Sequence, residues 1–133
     1  MELNELDIRV RYSETDQMGV VYHGNYAQYF EMGRVEWLRN LGISYKKLEE
    51  EGVMLPVVSL SIEYKKPALY DELLKLRTIF KKCTGVRIEF DYELLNEQGE
   101  LLTTATSVLV FMNAKTRRPI GVPDNVKEKL NLL

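Results

Sequence analysis

Asp16 and His23 are the residues of this sequence best suited to chemistry. His23 is the only histidine, and it follows Asp16 by seven residues in the polar stretch YSETDQMGVVYHGN at 12–25. A carboxylate can attack a carbonyl or act as general base on water. Directly after that stretch, Tyr26, Tyr29, Phe30, Gly33, Trp37, Leu38 and Leu41 recur at steps of three and four, as an apolar helical stripe does. Asn25 is placed to be the N-cap, Gln28 to complete a capping box and Gly42 to close the helix. Asp16, Tyr22, His23 and Gly24 therefore fall just ahead of a helix N-terminus, where unpaired N–H groups favour negative charge and can bind a developing oxyanion. Acyl transfer needs those two parts. On spacing alone the plainer reading carries more weight: Asp16 caps a turn, and His23 is a loop residue with its bonds satisfied.

Other chemistries lack their residues. There is no G-x-S-x-G elbow, Walker loop, dinucleotide fingerprint or paired Cys/His zinc pattern. No particular serine is marked as a partner for His23, and scattered carboxylates with one histidine define no metal site. A Cys83–His23 dyad is conceivable, but Cys83 sits beside a CTG turn, where a small residue is expected for structural reasons. What remains is Asp16 close to a helix N-terminus, with His23 in the same loop; no metal and no cofactor is expected.

The elements that must position them follow from periodicity. Leu6, Ile8, Val10 and Tyr12 alternate with charged residues, which predicts a half-buried strand over 6–12. Gly33 interrupts the apolar stripe at a cost of about 1 kcal/mol against alanine, so the helix must approach another backbone closely there. Ser44 caps a short second helix that ends near Gly52. From there the period is two. Strands are predicted over 58–65, 74–81, 86–94 and 101–112, joined mainly by tight turns and hence antiparallel. Asp124 caps a final helix over 125–131. One sheet face needs a cover, and only the long helix is large enough. The expected fold is α+β, a five-stranded antiparallel sheet curled around one long helix.

Length and composition bound the rest. The 133 residues suffice for one domain with a core and hardly for two, so 1–133 reads as a single domain. A net charge of −2 gives no reason to expect nucleic acid or an anionic membrane. One cysteine excludes an intrachain disulfide and suits a reducing compartment. The charged start MELNELDIRVRY lacks the apolar run of a signal peptide, and no stretch approaches the ~18 apolar residues of a membrane span. A cytoplasmic location is expected.

The stretch YSETDQMGVVYHGNY at 12–26 strongly resembles the active-site loop of hotdog-fold thioesterases of the 4-hydroxybenzoyl-CoA thioesterase type. Within that type it is most similar to the acyl-CoA thioesterase branch that carries V-V-Y-H. The resemblance continues through the helix, IEYKKPA at 62–68 and VFMNAKTRRPIGVP at 110–123, and so covers nearly the whole chain. It implies a hotdog fold and hydrolysis of acyl-CoA to free acid and coenzyme A. It further implies that Asp16 is the catalytic carboxylate, as nucleophile or general base, and that backbone N–H groups around His23 polarise the thioester carbonyl. The His23 side chain would either assist at the substrate or order the loop. Tyr22 and Gly24 would lie at the substrate, Tyr22 shaping the acyl pocket, with Gly19 and Gly24 supplying unusual backbone angles. Lys65, Lys66, Arg117 and Arg118 could meet the coenzyme A phosphates, although surface charge accounts for any one of them. The family assembles as homodimers joined at sheet edges, often paired into homotetramers, with sites at the dimer interface. The rival readings are an acyl carrier protein thioesterase and a non-catalytic acyl-binding module. A dehydratase of this fold would arrange its Asp and His differently.

Overall fold

The predicted apolar stripe forms a helix, α1, from Tyr26 to Asn40, in the computed structural model, which describes residues 3–131. Every residue of the stripe is buried, including Leu41 at its end. Gly33 explains itself. A Cβ added there would lie 2.2 Å from Thr78 Oγ1 and 2.8 Å from Leu76 Cδ2, so the helix backbone rests directly on a strand. Gly42, at φ +85°, ends the helix as expected.

Five strands make the sheet that receives this face: β1 (Leu3–Arg9), β3 (Val57–Tyr64), β4 (Leu73–Thr84), β5 (Arg87–Leu95) and β6 (Leu101–Val110). Their order is β1-β4-β5-β6-β3, and every pairing is antiparallel. The core lies between sheet and helix. Trp37 packs against Phe80 and Phe90, and Phe30 against Tyr92. A short helix, α2 (Tyr45–Glu50), is capped by the Ser44 hydroxyl, which accepts from Lys47 N. Among the described residues no helix is long and apolar enough to cross a membrane.

Five expectations need correction. The first strand leaves the sheet after Arg9. Tyr12 is 78 % exposed in a 3-10 turn, because the Glu14 carboxylate accepts from Arg11 N and bends the chain away. Asn25 caps nothing: a 3-10 turn over His23–Asn25 precedes α1, and Asn25 Nδ2 donates to the Glu14 carbonyl instead. The 101–112 strand breaks at the fully buried Phe111, after which β7 (Met112–Asn113) pairs with β2 (Val53–Met54). Asp124 is the first residue of α3 (Asp124–Lys129) and makes no side-chain cap. Finally, β3 is an edge strand that the helix does not cover. Leu60, Ile62 and Tyr64 pair with Ser107, Ala105 and Thr103, the inward residues of β6, yet Val58, Leu60 and Tyr64 remain exposed.

Candidate active site

The stretch before α1 is a small hairpin rather than an open loop. Tyr22 N donates to Glu14 O, Thr15 bridges Val21, and Asp16 N donates to Val20 O. Gln17, Met18 and Gly19 turn the chain. Gly19 N returns to Asp16 O, with Gly19 at φ +76°, the left-handed conformation that closes three-residue hairpin loops. Asp16 thus occupies the last paired position before the tip. It is exposed. One carboxylate oxygen, Oδ1, accepts from Met18 N at 2.8 Å, and Oδ2 makes no hydrogen bond among the described residues.

The root of the hairpin is tied to the helix. Glu14 is only 6 % exposed, and its Oε1 accepts from both Arg11 N and Tyr29 Oη at 2.8 Å. Oε2 takes the Arg11 guanidinium, at 3.0 Å from Nε and 3.0 Å from a terminal nitrogen. Burial pushes its pKa up, but the bonds from the Arg11 backbone, Tyr29 and the Arg11 side chain outweigh that and hold it below 4.5. Tyr29, buried and bonded to Glu14, is pushed well up and stays neutral.

Asp16 and His23 line one cleft of about 360 Å³, within the ordinary range for small-ligand sites. Val20, Val21, Tyr26, Tyr64 and Pro67 give it an apolar wall, and Lys65 and Lys66 add two cations. Tyr64 comes from β3. Its hydroxyl donates to His23 O at 3.1 Å and its ring meets Tyr26 edge-on. The 3-10 turn moves the start of helical structure back to His23, with Tyr22 at the cap position, so the first orphan N–H groups belong to His23 and Gly24. Neither makes a hydrogen bond among the described residues.

The structure therefore brings Asp16 and His23 to one cleft, whereas Gly24, next to His23 in the chain, does not line it. Tyr22 stands beside them without lining the cleft; its ring tilts against the His23 ring at 4.3 Å. The expectation for Gly24 changes too. Its φ is not positive, and its reason is space, since a Cβ would lie 2.8 Å from the Tyr22 ring. Arg117 and Arg118 are not part of the cleft, whereas Lys65 and Lys66 are. Cys83 lies away from it on β4, and burial pushes its thiol up to about 11, so the Cys83–His23 dyad does not form. Among the described residues no group of three or more His, Cys, Asp or Glu is placed to hold a metal. Sequence reasoning missed Glu14, Tyr29 and Tyr64. Glu14 stood in the motif in plain view, but only its tertiary partner shows that it points inward.

A five-stranded antiparallel sheet wrapped on one long central helix defines a hotdog-fold protein. Residues 10–130 match the thioesterase-like superfamily, and the chain belongs to that family. Among its relatives, YneP of Bacillus subtilis (strain 168), provisionally an acyl-CoA thioesterase, is 39 % identical over 90 % of this chain and 87 % of its own. The acyl-CoA thioester hydrolase YbgC of Escherichia coli O6:H1 is 31 % identical over 90 % and 89 %. A DHNA-CoA thioesterase from Staphylococcus aureus superposes with a TM-score of 0.95 at 38 % identity, covering 99 % of this chain and 91 % of its own.

Proposed function

We propose that this protein hydrolyses acyl-CoA thioesters to the free acid and coenzyme A. The observation that carries the reading is the cleft lined by both Asp16 and His23, with one Asp16 oxygen left unbonded and the N–H groups of His23 and its neighbour Gly24 unpaired at the helix start. The thioester carbonyl oxygen is received by those N–H groups, which stabilise the oxyanion as the carbonyl carbon becomes tetrahedral. Asp16 supplies the attack by one of two routes. As general base it takes a proton from water, whose oxygen bonds to the carbonyl carbon. As nucleophile it forms a mixed anhydride that water then opens. In both, the C–S bond breaks, coenzyme A leaves as the thiolate and takes up a proton. No metal enters either route. Tyr26, Tyr64, Val20 and Pro67 suit the acyl group, and the Lys65 and Lys66 ammonium groups suit the coenzyme A phosphates.

The working unit we propose is a homodimer paired through β3, alone or as half of a homotetramer. Val57, Val58, Leu60 and Tyr64 expose apolar surface on an unpaired edge, an arrangement that favours strand pairing with a second copy. Tyr64 belongs to both that edge and the cleft, so pairing would enclose the site. Light scattering of the purified protein at micromolar concentration should show a dimer or tetramer, and a monomer would contradict the assembly.

The deciding experiment is a hydrolysis panel of short, long and aromatic acyl-CoAs, run with and without EDTA beside the same acyl groups on acyl carrier protein. The expected result is turnover of acyl-CoA that survives chelation. Preference for the carrier-bound substrates would favour a carrier-protein thioesterase, and binding without turnover an acyl-binding module. Activity lost to EDTA and restored by a divalent ion would overturn the metal-free mechanism.

A further inference from the structure

Asp16 is held on the protein by a lever two residues long, and Glu14 is its fulcrum. The main chain of Glu14 binds forward: its carbonyl accepts from Tyr22 N at 2.9 Å and from Asn25 Nδ2 at 2.8 Å, joining both arms of the hairpin to the start of the helix. The side chain binds sideways, to Arg11 at the exit of β1 and to Tyr29 one turn into α1. Between this anchor and Asp16 there is only Thr15, itself tied down by Oγ1 and N to Tyr12 O. The N–H groups of His23 and Gly24 follow directly on the other arm. The relative placing of carboxylate and oxyanion donors is thus set by how firmly Glu14 is seated.

Building on the proposed role of Asp16, we infer that Glu14 is a positioning residue for the reaction: its buried carboxylate, clamped by Arg11 and Tyr29, aims the Asp16 hairpin at the helix-start N–H groups. The carboxylate is needed as an acceptor on both oxygens. Oε1 faces an N–H and a hydroxyl, and Oε2 faces a guanidinium. A glutamine fits the same volume, but its NH₂ must point at one of those donor sets, where donor meets donor. The side chain then leaves its seat, and the hairpin root loses its fixed direction. Small displacements of a reacting group are costly, with about 1 Å worth up to roughly 100-fold in rate. Glu14 itself is no candidate for the attack, since every oxygen is engaged and the side chain is shielded from the cleft.

The test is a double-mutant cycle on the best acyl-CoA substrate, with parent, Glu14→Gln, Asp16→Asn and the double variant, and with Tyr29→Phe in both backgrounds. Amide exchange at Tyr22 and Asp16 reports the hairpin. Glu14→Gln should lower kcat at least about tenfold with little change in KM, and Tyr29→Phe should act in the same direction with a smaller effect. Both should speed exchange at Tyr22 and Asp16. Added to Asp16→Asn, either should cost less than about twofold more, because a residue acting through Asp16 has nothing left to position. Equal losses in both backgrounds would make Glu14 merely structural and overturn the inference, as would a folded Glu14→Gln with kcat within about twofold of the parent. If Glu14→Gln does not fold, the Tyr29→Phe pair decides by the same criterion. A fully active Asp16→Asn would sink the catalytic reading itself and this inference with it, whereas an inactive Asp16→Asn beside an unaffected Glu14→Gln would remove the inference alone.

Discussion

Glu14 and Asp16 stand two residues apart on one arm of one hairpin and hold the same functional group in opposite environments. Glu14 is buried, and donors from three directions occupy both of its oxygens. Asp16 is exposed, and a single backbone N–H occupies one oxygen. Residues two apart on a regular strand share a face, but Glu14 ends the 3-10 turn over Tyr12–Glu14, where Tyr29 and Arg11 draw it in, while Asp16 begins the turn at 16–19 and stays exposed. Of the two, only Asp16 keeps an unbonded oxygen for the proposed chemistry. A fully bonded carboxylate has no lone pair to offer, while one oxygen left open over a cleft can attack or take a proton.

The two environments predict different losses of stability on substitution. The largest change is expected at Glu14, where Glu14→Gln should lower the unfolding free energy by about 2 kcal/mol, the scale of lost hydrogen bonds to a buried charge. Urea denaturation reads this directly. The difference should also depend on pH. The folded-state pKa of Glu14 lies below 4.5, so its contribution is present above about pH 4.5 and fades as pH falls through the lower folded value. The gap between parent and variant must therefore narrow in acid; a gap that widened there would mean the ionised form is not the stabilising one. A smaller effect is expected from Gly19→Ala. An added Cβ meets nothing within 4 Å, so only the left-handed φ of +76° resists it, at about 1 kcal/mol. The smallest belongs to Asp16→Asn. Its amide oxygen can still accept from Met18 N, and unfolding free energy should stay within about 0.5 kcal/mol of the parent. A large loss there would return Asp16 to a structural role.

Much of this arrangement was legible in advance. The apolar stripe of α1 reads directly because helix periodicity marks a face, and Gly33 betrays the close approach to Leu76 and Thr78 because nothing else excuses a glycine there. The Asp16–His23 pairing was visible as a motif. What could not be read depends on partners distant in sequence. Alternation shows which side of β3 is apolar, but not that α1 stops short of covering Leu60 and Tyr64. Tyr12 continues the alternation of β1, but a bond from Arg11 N to Glu14 takes the chain out of the sheet first. Asn25 has the right type for a cap, yet Glu14 O claims its amide. Glu14 and Asp16 look alike in sequence, and the bonds of Glu14 to Arg11 and to Tyr29, fifteen residues along, separate their environments.

The central claim is that Asp16 is the carboxylate that reacts. Steady-state hydrolysis by Asp16→Asn, on the best acyl-CoA of the panel, tests it most directly, paired with the affinity of each protein for a non-hydrolysable thioether analogue. The variant keeps size and most hydrogen bonding while losing basicity and nucleophilicity. If Asp16 reacts as proposed, kcat falls at least ~100-fold with analogue affinity and oligomeric state unchanged. Near-parental turnover by Asp16→Asn would contradict it.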